Sequence, residues 1–109
     1  MTYDMDKRIH ISYDELVPNK GYPSLKDNIQ HERYENQENI ARYLRNATEE
    51  FMRWSMSKDI FTGKPIPNSY SFMSDGVFWW SIVLAYYVEK YNLRLPKEFE
   101  EHILRNINK

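Results

Sequence analysis

Cysteine does not occur in the 109-residue chain, which excludes disulfides, thiolate metal ligands and thiol nucleophiles together. Glycine occurs only three times, too rarely for the fingerprints that cradle dinucleotides. Gly63-Lys64 has neither the upstream glycine nor the following Ser or Thr of a phosphate loop, and no G-x-S-x-G elbow is present. Neither charge sign is in excess: 15 basic and 16 acidic residues leave a net charge of −1. Proteins that neutralise phosphates usually carry a clear positive balance, so nucleic acid is not the expected partner. Long apolar runs are missing too. The longest, Val77 to Val88, is broken by Ser81 and falls short of the ~20 residues that cross a bilayer. Met1 to Lys7 lack the apolar stretch of a signal peptide. The expectation is a cytoplasmic chain with no membrane partner.

Aromatic rings are what the chain has in quantity: nine Tyr, five Phe and three Trp. They bury much area each, and Tyr and Trp also suit interfaces because each carries a polar handle. Apolar (41%) and charged (28%) fractions are ordinary, and the length fits one domain over residues 1–109.

Within residues 1–23, Ile9, Ile11 and Tyr13 alternate with His10 and Ser12, which predicts a short strand or a partly ordered arm. Pro18 to Gly21 then reads as a turn. Ser24, with Asp27 three residues on, is placed to cap a short helix that pairs Leu25 with Ile29. A longer helix starts near Asn36, with Ile40, Leu44 and Ala47 on one face and Glu38 four residues before Arg42. Phe51 and Trp54 would extend that stripe, but Asn46, Thr48 and Ser55 to Ser57 leave its end open. Asp59 to Asn68 reads as an irregular loop.

The stretch "SFMSDGVFWWS" (residues 71–81) carries the strongest local signal. Asp-Gly between apolar runs predicts a hairpin with Asp75 and Gly76 as the turn. Ser74 would then face Val77, Met73 face Phe78, Phe72 face Trp79 and Ser71 face Trp80. The competing reading makes Asp75 the cap of a helix starting at Val77. Because cross-strand partners share a face, Phe72 and Trp79 fall on one side, and Met73, Phe78 and Trp80 on the other. Trp80 leads into a helix capped by Ser81 and running to about Tyr91, so its side is assigned to the core. Pro96 opens a last helix, with Glu98, Glu100 and Glu101 near its positive end, Arg105 near its negative end, and Phe99, Ile103 and Ile107 buried. The fold class expected is mainly α with a small antiparallel β-hairpin, an α+β arrangement in a single compact domain.

Chemistry is hard to find. His10, His31 and His102 have no second ligand at metal spacing, so no metal site is expected. The acid pairs Glu49-Glu50 and Glu100-Glu101 point apart on a helix, and the turn accounts for Asp75, so no catalytic residue and no cofactor are assigned. Arg42, Tyr43, Arg45, Arg53 and Trp54 mix basic groups with rings. That mixture suits a small nucleic-acid-associated regulator, or the snorkelling edge of a helix. What remains is recognition: Phe72, Val77 and Trp79 face outward as anchors for a protein partner, unless the N-terminal segment covers them.

The order "YLRN", "DIFTGKPI", "SDGVFWWS", "LAYYVEKYNLRLPKEF" and "HI", over about residues 40–103, resembles small bacterial immunity proteins of polymorphic-toxin and contact-dependent growth inhibition systems. The resemblance implies a non-enzymatic protein that binds and occludes a cognate toxin domain. Immunity proteins of nuclease toxins are often strongly acidic, whereas this chain is nearly neutral. Clustered acids would have to come from Glu32, Glu35, Glu38, Glu49 and Glu50, with Glu49 and Glu50 joining Phe72, Val77 and Trp79 at the partner.

Overall fold

A computed structural model describes residues 7–108. Three helices and a four-stranded mixed sheet make up the domain. In chain order these are β1 (Ile9–Ile11), α1 (Gln37–Asn46), β2 (Thr48–Met52), β3 (Ser71–Ser74), β4 (Phe78–Ser81), α2 (Val83–Tyr91) and α3 (Lys97–Ile107). The sheet order is β1-β4-β3-β2, with β1 parallel to β4 and the other pairs antiparallel. The expected class, mainly α with a lone antiparallel hairpin, is therefore corrected to α+β with a four-stranded mixed sheet.

Two segments make that difference. Ile9–Ile11 forms a parallel edge strand beside β4, while the part of the expected arm before residue 7 lies outside the described residues. At the other edge, α1 stops at Asn46, Ala47 turns extended (φ −72°, ψ −178°), and Thr48–Met52 pairs with β3. Phe51 lies seven residues after Leu44, a spacing that fits a continued helical stripe and a new strand equally. The unpaired edge of β3, which local sequence cannot reveal, decides for the strand.

The hairpin also sits in a different register. Ser74 faces Trp79, Met73 faces Trp80 and Phe72 faces Ser81, in place of the expected Val77, Phe78 and Trp79. The Asp75 N–H donates to the Phe78 carbonyl at 3.2 Å, so Gly76 and Val77 form the loop, one residue later than expected. Gly76 alone takes the positive φ, 94°, which suits a turn with glycine at its first central position. The Asp75 carboxylate accepts from the N–H groups of Val77 (3.0 Å) and Phe78 (2.8 Å), closing the turn from within. Each strand keeps its alternation, so the two faces hold the side chains expected of them.

Met73, Phe78 and Trp80 are buried with Ile11, Leu44, Leu84, Phe99 and Ile103 in one core. The Trp80 indole N–H donates to the Leu44 carbonyl at 3.1 Å, and its ring centroid lies 5.2 Å from that of Phe99. The long β2–β3 connection is fastened by Asp59, only 1% exposed. Its carboxylate accepts from the hydroxyls of Tyr86 (2.5 Å) and Tyr91 (2.6 Å) and from the Phe61 N–H (2.7 Å). Among the described residues no helix is long and apolar enough to cross a membrane.

Candidate protein-binding surface

Strand alternation gives the sheet a second face that carries rings from every strand. His10 on β1 stacks on Trp79 of β4, with centroids 3.7 Å apart and planes within 8°. Phe72 of β3 lies 6.1 Å from Trp79, and Phe51 of β2 stacks on Phe72 at 4.6 Å. Arg53 places its guanidinium 5.7 Å from the Phe72 centroid. Phe51 remains 39% exposed, while Phe72, Trp79 and His10 are half-buried. The row is continuous from one sheet edge to the other.

The N-terminal segment both builds and partly covers this face. His10 Nδ1 lies 2.6 Å from the Tyr22 hydroxyl, and the Tyr22 ring meets the imidazole edge-on at 5.3 Å. Burial holds the imidazole pKa below its ordinary value, so the ring is neutral at pH 7. Trp79 is thus stacked on a neutral ring and flanked by Phe72 and Phe51, each 6.1 Å away, and it stays half-buried.

The remaining candidates are scattered. Val77 stands 48% exposed at the hairpin tip, away from the row of rings. Glu49 is exposed on β2 and its carboxylate accepts from the Ser71 hydroxyl. Glu50 is half-buried and paired with Arg8 at 2.6 Å; the same guanidinium donates to Ser74 Oγ at 2.6 Å. Glu32, Glu35 and Glu38 lie before and in the first turn of α1, and the helix separates them from Glu49 and Glu50. The basic–aromatic set is divided as well. Arg45 pairs with Glu89 and Arg42 bonds Asn39 in the helical layer, whereas Arg53 lies over Phe72 on the opposite face of the sheet.

Two features escaped the sequence reading. Phe51, Met52, Trp54 and Met56 are all exposed, and Trp54 projects entirely into solvent. Phe51 and Trp54 fit an extended helical stripe in the sequence, which hid their exposure, and nothing in the local pattern marks Met52 and Met56 as exposed. The second is a cluster under the turn. Asp75 Oδ2 accepts from the Tyr43 hydroxyl (2.5 Å) and from His102 Nε2 (2.8 Å). Burial alone would raise the Asp75 pKa, but the Phe78 N–H, the Tyr43 hydroxyl, the Val77 N–H and His102 outweigh it and hold it below the usual carboxylate range. With four donors on one carboxylate, the cluster locks the hairpin to α1 and α3. His102 was traceable in principle: it follows Phe99 by three residues, which places it beside the buried stripe of α3.

No family model, curated protein or solved structure matches the chain.

Among the described residues, no group of three or more His, Asp or Glu side chains is placed to hold a metal ion. The buried carboxylates are occupied, Asp59 by backbone and hydroxyl donors and Glu100 by the Arg94 guanidinium and the Leu95 N–H. The ring-bearing sheet face is therefore the candidate surface.

Proposed function

We propose that this chain is a non-enzymatic protein-binding module, an immunity protein that neutralises a cognate bacterial toxin domain in the cytoplasm by covering it. The observation that carries the reading is the row His10, Trp79, Phe72 and Phe51, which crosses the sheet face opposite the helices, with the exposed segment from Phe51 to Met56 at its end. Rings held rigidly by a sheet lose little conformational entropy on contact and make effective anchors. The resemblance over about residues 40–103 supplies the toxin as partner.

The test takes the gene beside this one and, where it encodes a large secreted protein, uses the C-terminal domain of that protein as the toxin candidate. Co-expression of the chain should restore growth of cells that make that domain, and the two should co-purify at one-to-one stoichiometry. The double variant Phe51→Ala, Trp79→Ala should stay folded yet lose protection, with binding weakened by 2 kcal/mol or more, as is typical for paired anchors. Failure of the chain to bind or protect, or co-purification with nucleic acid or a metabolite alone, would overturn the reading.

A further inference from the structure

Beside the row of rings lies a groove of about 340 Å³, between the turn after β1, the segment that follows β2, and the ends of β3 and β4. Phe72, Ile60, Leu16 and the buried Val83 give it apolar lining, serines add polar lining, and two exposed cations, Arg53 and Lys58, also line it. The volume is near the bottom of the roughly 300–1,000 Å³ range of ligand sites, so it suits one side chain with its neighbours.

The charges at this groove are unequally committed. The one acid, Glu15, is saturated: its carboxylate accepts from the Leu25 N–H (2.7 Å), the Lys26 N–H (2.9 Å) and the Ser24 hydroxyl (2.9 Å). Burial alone would raise the pKa of that carboxyl, but those donors prevail and keep it below its usual value. His10 is occupied with Tyr22 and Trp79. Arg53 spends one nitrogen on the Ser57 hydroxyl at 2.8 Å, and among the described residues neither Arg53 nor Lys58 is matched to a carboxylate. Both are exposed. The groove thus has apolar lining and two cations against one ionised carboxylate whose acceptor positions are already taken, a net positive charge.

We propose that this groove is the socket that sets specificity on the binding face, and that it takes an acidic segment of the partner polypeptide. One aromatic or aliphatic side chain rests on Phe72 beside Ile60 and Leu16, while an adjacent Asp or Glu carboxylate bridges to Arg53 and Lys58. The inference rests on the reading of this face as a protein-binding surface, and adds which chemistry it selects. An acidic contact here also fits a chain whose own charge is nearly balanced, because local complementarity selects partners and speeds association without net charge.

The experiment is an NMR titration of the full chain with three end-blocked tripeptides, Asp-Phe-Asp, Asn-Phe-Asn and Lys-Phe-Lys, each raised to about 10 mM. The acidic peptide should shift resonances of Phe72, Val83, Arg53 and Lys58 and bind about tenfold more tightly than its amide isostere, the increment expected of a partly desolvated ion pair. The variant Arg53→Gln, Lys58→Gln should keep the spectrum of a folded protein and lose that discrimination. Equal binding of acidic and amide peptides, no shift up to 10 mM, or shifts confined to Trp54 and Val77 would overturn the proposal. So would tighter binding of free 3-phenylpropionate than of the acidic peptide, which would mark a small-molecule site. The two readings fail separately. A toxin domain held as tightly by the Gln variant as by the parent removes the socket alone, and peptide discrimination without any toxin complex removes the immunity reading alone.

Discussion

Asp59 shows how one side chain can organise a long loop. Burial alone would raise its pKa, but the hydroxyls of Tyr86 and Tyr91 and the N–H groups of Phe61 and Thr62 hold it down to about 2. The same bonds push both tyrosines up, after burial itself, to about 12. Because the folded pKa lies below the ordinary value of 3.8, the ionised group contributes stability that is complete above about pH 4 and is lost as pH falls through about 2. Asp59→Asn should lower unfolding free energy at pH 7 by about 1–3 kcal/mol, the usual cost of breaking buried bonds to a charged acceptor. It should also flatten the acid limb of the stability curve. Urea titrations between pH 2 and 7 check both, and an unchanged acid limb in the variant would show that other carboxylates set it. At this scale the sequence was poorly legible. Asp59 read as one residue of an irregular loop, since its partners Tyr86 and Tyr91 lie far along the chain and only the fold brings their hydroxyls together.

The hairpin turn is the element on which both sheet faces depend, and its geometry concentrates on Gly76. A Cβ there would meet nothing within 4 Å, so the cost of adding one comes from the backbone, at a φ of 94°. Gly76→Ala should destabilise the fold by about 1–2 kcal/mol, and Gly76→Asn by less, because asparagine enters positive φ more readily. Thermal unfolding of the pair gives the order; a neutral alanine variant would mean that the turn relaxes into another type. Reversal near this point was legible because apolar runs flank a residue pair that favours tight turns. The register was not, because Asp-Gly suits a turn with both at its centre and also one in which Asp75 caps from outside. Bonds from distant parts of the same chain choose the second: Asp75 is needed outside the loop to receive Tyr43 and His102. Strand β2 was missed for a related reason, as its pairing partner lies some twenty residues onward and periodicity reports only nearby neighbours.

At the scale of the molecule, one four-residue strand divides its rings between two tasks. Trp80 is fully buried against Phe99 and bonded to the Leu44 carbonyl, whereas Trp79, its immediate neighbour, points to the other face and rests on His10. Alternation alone separates them, and that division was legible in the sequence once the strand was recognised. The consequence is a sharp contrast between adjacent substitutions. Trp80→Ala should cost about 3–5 kcal/mol, a large part of the 5–15 kcal/mol that hold a domain of this size together. Trp79→Ala removes a half-buried ring with one stacked neighbour and should cost about 1 kcal/mol. Its larger effect should fall on partner binding. His10→Ala supplies the intermediate case, since it uncovers Trp79 without touching the core: tryptophan fluorescence should shift to the red while urea unfolding changes little. If instead the His10 and Trp79 variants unfold as readily as Trp80→Ala, the ring-bearing face belongs to the folding core, and the surface available to a partner shrinks to the exposed segment from Phe51 to Met56.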